Sequence, residues 1–75
     1  MILDARTIDM RELFAQMRDL LADHVGKEVS VEVFLSGERD TKRLRAFVSM
    51  SGCQTIVEQK EGYYIVHITG SVCCA

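Results

Sequence analysis

A chain of 75 residues has room for one core and no second domain. Its 48% hydrophobic and 27% charged residues exclude a disordered or low-complexity protein. A formal net charge of −2 removes any whole-molecule attraction to nucleic acid or to an anionic membrane surface.

The first stretch, Ile2 to Ala5, reads as a short strand. Asp9 followed three residues later by Glu12 is a capping-box signature, so a helix is expected to start at Met10. Leu13, Met17, Leu20 and Leu21, with Phe14 beside them, recur at helical spacing and need a sheet to cover them. The helix ends near His24, which suits the negative pole of the dipole, and Gly26 sits at a left-handed cap position.

Lys27 to Leu35 alternates cleanly, with Val29, Val31, Val33 and Leu35 on one face and Ser30, Glu32 and Phe34 on the other. Ser36-Gly37 is a turn, and Asp40 is the expected N-cap of a second helix whose inner face carries Leu44, Phe47, Val48 and Ser51. Gly52 closes that helix. Cys53 to Gln59 and Tyr63 to Thr69 then form a hairpin through Lys60-Glu61-Gly62. Tyr64, Val66 and Ile68 are expected inward.

The order β-α-β-α-β-β predicts a two-layer α/β sandwich: a four-stranded mixed sheet, both helices on one face, and the fourth strand antiparallel to the others. Phe34, Tyr63, Ile65 and His67 fall on the face without helices. An open apolar set of that kind points either to a protein partner, a homodimer through this face or a missing neighbouring domain, or to scattered surface hydrophobes.

Three groups of residues invite a chemical reading. A three-residue hairpin connection places Gln59 opposite Tyr63 and Cys53 opposite Thr69, with Cys73 and Cys74 just beyond the strand. If Gly70 and Ser71 act as a hinge, residues 71–75 become a flexible Cys-bearing tail that folds back toward Cys53. Adjacent thiols can form a vicinal disulfide, hold a soft metal with a third thiolate, or pass a persulfide; the plainer alternative is an incidental tail and a buried Cys53. Arg39, Lys42, Arg43 and Arg45 concentrate positive charge on the second helix, either to dock an acidic partner or RNA backbone or simply as a solvated face. No aromatic interleaving is present to stack bases.

The start of the chain resembles the small sulfur-carrier proteins called TusA, SirA or YedF-like. Their first strand reads Leu-Asp-x-Arg-Gly-Leu-x-Cys-Pro-x-Pro and feeds the first helix. Leu3, Asp4 and Arg6 match, Thr7 stands for the glycine and Ile8 for the leucine. Met10 stands where the family has its cysteine, Arg11 and Leu13 where it has its prolines, and the chain contains no proline at all. The resemblance implies the same sandwich fold. It also implies a sulfur (persulfide) or selenium relay with a protein donor such as a cysteine desulfurase, here using Cys73, Cys74 and Cys53 in place of the missing thiol.

Two classes of function therefore stand side by side. One is a thiol-based relay; the other is a non-catalytic binding or regulatory module, with a metal or redox sensor between them. No Ser/His/Asp arrangement, phosphate-cradling loop or paired carboxylates supports a turnover enzyme, and no cofactor is expected. Asp4 and Arg6 interrupt the start, so no apolar signal region is expected, and the cytoplasm, with reduced thiols, is the expected location.

Overall fold

The computed structural model describes residues 1–73; the candidate thiol of Cys74 lies outside the described residues. The elements are β1 (Ile2–Asp4), α1 (Met10–Asp23), β2 (Glu28–Leu35), α2 (Glu38–Ser49), β3 (Gln54–Lys60) and β4 (Tyr63–Ser71). The sheet order is β1-β2-β4-β3, with β1 parallel to β2 and β4 antiparallel to both β2 and β3. This is the mixed four-stranded sandwich expected, with the last strand inserted between β2 and β3.

Helix α1 begins where the cap places it. Asp9 is extended, and its carboxylate accepts the Arg11 N–H at 2.7 Å, satisfying one of the donors the first turn leaves over. Leu13, Met17 and Leu21, spaced four apart, are fully buried against the sheet. At the other end the His24 ring Nδ1 donates to the Leu20 carbonyl at 2.8 Å, a side-chain cap of the kind the sequence suggests.

Helix α2 starts earlier than expected. Gly37, not Asp40, is its cap, and it offers no side chain; the Thr41 N–H and hydroxyl both bond the Gly37 carbonyl, at 3.2 and 2.9 Å. Asp40 lies with Glu38 in the first turn, where their charges favour the positive end of the dipole. Thr41 joins Leu44 and Val48 as the buried residues of this helix.

The hairpin differs by one residue. Lys60 pairs with Tyr63 and Gln59 with Tyr64, so the connection is Glu61-Gly62 alone. Gly62, at φ 86°, makes the reversal tight enough for Lys60 to complete the ladder. Cys53 consequently precedes the pair Gln54–Thr69 and lies against Gly70, not opposite Thr69. On the helix side of the sheet, Leu3, Val33, Val66 and Val57 form one continuous row across all four strands. Val33 and Val66, its central members, are wholly buried.

The opposite face is not the bare apolar surface that the alternation suggests. Asp4 holds the Arg6 guanidinium through bonds of 3.0 and 2.8 Å, and Arg6 lies over the rings of Phe34 and Tyr63 at 5.6 and 5.2 Å. Ile65 is left only 8% exposed. His67 stands between two carboxylates, Glu32 at 3.5 Å and Glu58 at 3.1 Å, and Lys60 pairs with Glu58 at 2.6 Å. Charged side chains thus lie over Phe34 and Tyr63 and around His67, while Ile2 and Ile56 on the same face stay 65% and 70% exposed.

The Arg6 hydrogen bonds, side chain first and backbone second, lower the Asp4 carboxyl from its ordinary 3.8 to about 2. A depressed carboxylate pKa stabilises the fold above the unfolded value and is lost as pH falls through the folded one. Glu58, lowered by Lys60 and then His67, acts in the same direction. Thermal melts between pH 4 and 2 should therefore show an acid-labile limb, and Asp4→Asn should make that limb shallower.

Candidate functional site

Two thiols meet where α2 ends and β3 begins. The last turn of α2 leads through buried Ser51 and through Gly52 at φ 89° into Cys53, whose N–H bonds the Val48 carbonyl at 3.3 Å. Past the end of β4, Val72 is buried and held on both sides: its carbonyl accepts the Gly26 N–H at 2.8 Å and its N–H donates to Lys27 at 3.0 Å. Gly70 and Ser71 thus belong to β4 and do not form a hinge beyond it. The segment after the strand is fixed through Val72, and that delivers Cys73 to α2.

The Ser51 carbonyl receives Cys73 twice, from its N–H at 3.0 Å and from its Sγ at 3.4 Å. Cys53 is 5% exposed and part of the core, whereas Cys73 is exposed. Burial, and then the nearby Cys73, push the Cys53 thiol above the usual range, which makes it a poor nucleophile. The glycines on either side make this proximity possible. A Cβ on Gly52 would stand 2.9 Å from Cys73 Sγ, and one on Gly70 would stand 3.3 Å from Cys53 Cα. Sequence reasoning brought Cys53 and Cys73 together but missed Ser51 and Gly52 as the elements that hold them; the run Ser51-Gly52-Cys53 at a helix end was the available signal.

This site is remote from Met10. Met10 opens α1 beyond the C-terminal end of β1, which runs beside the end of β2, whereas Ser71 pairs with Glu28 at the start of β2. Met10 itself packs half-buried against the core. Among the described residues, no group of three His, Cys, Asp or Glu side chains is arranged to hold a metal ion.

The basic residues of α2 divide between its flanks. Lys42 pairs with Glu38 at 3.7 Å and Arg45 donates to Thr55 at 3.1 Å, both on the β3 side, around a shallow hollow of about 280 Å³. On the α1 side, Arg43 lies over the Phe14 ring at 5.5 Å, and Phe14 stacks on Phe47 at 5.0 Å. Phe14, Arg43, Ala46, Phe47 and Met50 line an apolar groove of about 320 Å³. The sequence pattern placed Phe14 and Phe47 toward the core and so missed this groove. No helix of the described chain is long and apolar enough to cross a membrane.

Gly52 and Gly62 share a left-handed backbone, at φ 89° and 86°, but only Gly52 faces a thiol, and nothing lies within 4 Å of a Cβ at Gly62. Alanine at either position should cost about 1–2 kcal/mol of backbone strain, and Gly52→Ala should cost more than Gly62→Ala, because its Cβ also meets Cys73 Sγ at 2.9 Å and the Ser71 carbonyl at 3.2 Å. Gly52→Ala alone should push Cys73 Sγ off the Ser51 carbonyl and accelerate its alkylation by iodoacetamide, followed by mass spectrometry of the digest. Equal alkylation rates in the two variants would show that Gly52 does not position the thiol.

Compared with known families, with curated proteins and with solved structures, the chain matches none of them.

Proposed function

We propose that this chain is a divergent relative of the small sulfur carriers, and that it carries sulfur as a persulfide on Cys73 rather than at the start of α1. The observation that supports the reading is the contrast between the described thiols: Cys73 is exposed at the edge of the molecule, and Cys53 beside it is buried. A carrier needs a thiol that a donor's active site can reach without unfolding the carrier. The family motif around Leu3, Asp4 and Arg6 supports the kinship, and the Met10 thioether directs the chemistry elsewhere, since it has no ionisable proton.

The transfer is redox-neutral. Cys73 sulfur attacks the outer sulfur of a donor persulfide, a new S–S bond forms on Cys73, the donor's S–S bond breaks, and the donor leaves as a thiol carrying the displaced proton. The donor class is a cysteine desulfurase, the compartment is the cytoplasm, and the chain acts as a carrier rather than a turnover enzyme. A second reading, a binding module without chemistry, is favoured by the groove of Phe14, Phe47 and Met50, which lies on the helix layer and contains no thiol.

Incubation with a cysteine desulfurase and cysteine, followed by intact mass and digestion, separates the two. A gain of one sulfur on the peptide carrying Cys73 and Cys74, abolished by Cys73→Ser and retained in Cys74→Ser, is the expected result. Loading lost only in Cys74→Ser would move the site one residue, and no loading beside a normally loaded Cys-Pro-x-Pro carrier would leave the binding module.

A further inference from the structure

The groove between α1 and α2 has a floor and a rim of different chemistry. Its floor is the Phe14–Phe47 stack, 5.0 Å apart and 14° from parallel, extended by Ala46 and by Met50, which is 73% exposed. Its rim is basic. Arg43 already lies over Phe14, and helical spacing puts Arg39 one turn before Arg43 on α2, with Arg11 and Arg18 a turn to either side of Phe14 on α1. All four arginines are exposed, and among the described residues none of them forms an ion pair. Asp40 is the carboxylate on this flank by the same spacing. A basic surface on a chain of net charge −2 requires that the negative charge lie elsewhere. Glu12, Asp19 and Asp23 occupy the other flank of α1, and Glu32 and Glu58 the far face of the sheet.

We infer that this groove docks an acidic amphipathic helix of a protein partner, its apolar residues against Phe14, Phe47 and Met50 and its carboxylates against the four arginines. Two other occupants fit less well. A second copy of the chain in two-fold contact would bring the same arginines face to face. RNA needs open aromatic faces for its bases, and the Phe14 ring is already engaged by Phe47 and Arg43. The groove also leads toward the thiol site: Met50 is followed by Ser51, whose carbonyl holds Cys73. A helix lying along α2 therefore ends beside Cys73. That last link rests on the relay reading, whereas the docking itself does not.

The test is fluorescence anisotropy of the intact chain with a labelled four-turn peptide carrying leucine on one face and glutamate on the other. Its comparators are the same peptide with lysine for glutamate and a single-stranded RNA of similar length. Saturable binding of the acidic peptide that weakens with salt, falls about tenfold in Met50→Glu and in Arg43→Glu, and is unchanged in Arg45→Glu on the opposite flank supports the inference. Tighter binding of the lysine peptide or the RNA overturns it, as does no saturable binding or an equal loss in Arg45→Glu. Met50 is exposed enough for its variant to stay folded, which a melt of each variant confirms. Sulfur loading on Cys73 without peptide binding sinks the groove alone; peptide binding without loading sinks the relay alone.

Discussion

The pairing of β4 on both sides, with β2 and with β3, is the constraint on which the rest of the molecule depends. Because β1, β2 and β3 point the same way, the two connections between them must be crossovers, and each crossover is a helix laid on one face. The antiparallel β4 fills the gap this leaves in the middle of the sheet. It contributes Val66 and Ile68, both fully buried, and its ladder to β2 runs from Tyr64 to Ser71. Its length also carries the chain past the sheet to Val72, whose hydrogen bonds to Gly26 and Lys27 fix the direction in which the chain leaves the sheet. The position of Cys73 is thus a consequence of sheet order.

The two faces of the sheet solve different problems. The inner face is covered by helices, and its aliphatic rows need only close packing. The outer face has no layer above it, yet it carries Phe34, Tyr63 and Ile65. Asp4 and Arg6, two residues apart at the end of β1, supply the cover: the carboxylate orients the guanidinium, and the guanidinium spreads over both rings. The same pair forms part of the sequence resemblance to the sulfur carriers. Within this chain they have a structural use independent of any chemistry at the start of α1.

The groove and the thiol site share an axis. Helix α2 presents Arg39, Arg43 and Phe47 along the flank toward α1 and ends two residues before the Ser51 carbonyl that receives Cys73. In the proposed reading, recognition and transfer are therefore separate in residue type and continuous in space. The start of α1, where the sulfur carriers keep their cysteine, is left to packing by Met10.

The sequence by itself determined the elements, their order and the inner face of β2, because hydrophobic periodicity and the Asp9 cap are local signals read within a few residues. It determined that no thiol stands at Met10. It did not determine the hairpin register, since a one-residue slip only exchanges Ile56 for Val57 on the inner face and both are apolar; the two-residue connection closed by the left-handed Gly62 puts Val57 inward. Nor did it determine the cap of α2, where Asp40 has the chemistry of an N-cap but Thr41 finds the Gly37 carbonyl one turn earlier. Only the tertiary structure decided that Arg6 covers Phe34 and Tyr63, that Phe14 stacks on Phe47, and that the Ser51 carbonyl holds Cys73. Each of those contacts joins residues from different elements, and their separation depends on strand order and helix placement, which no local pattern specifies.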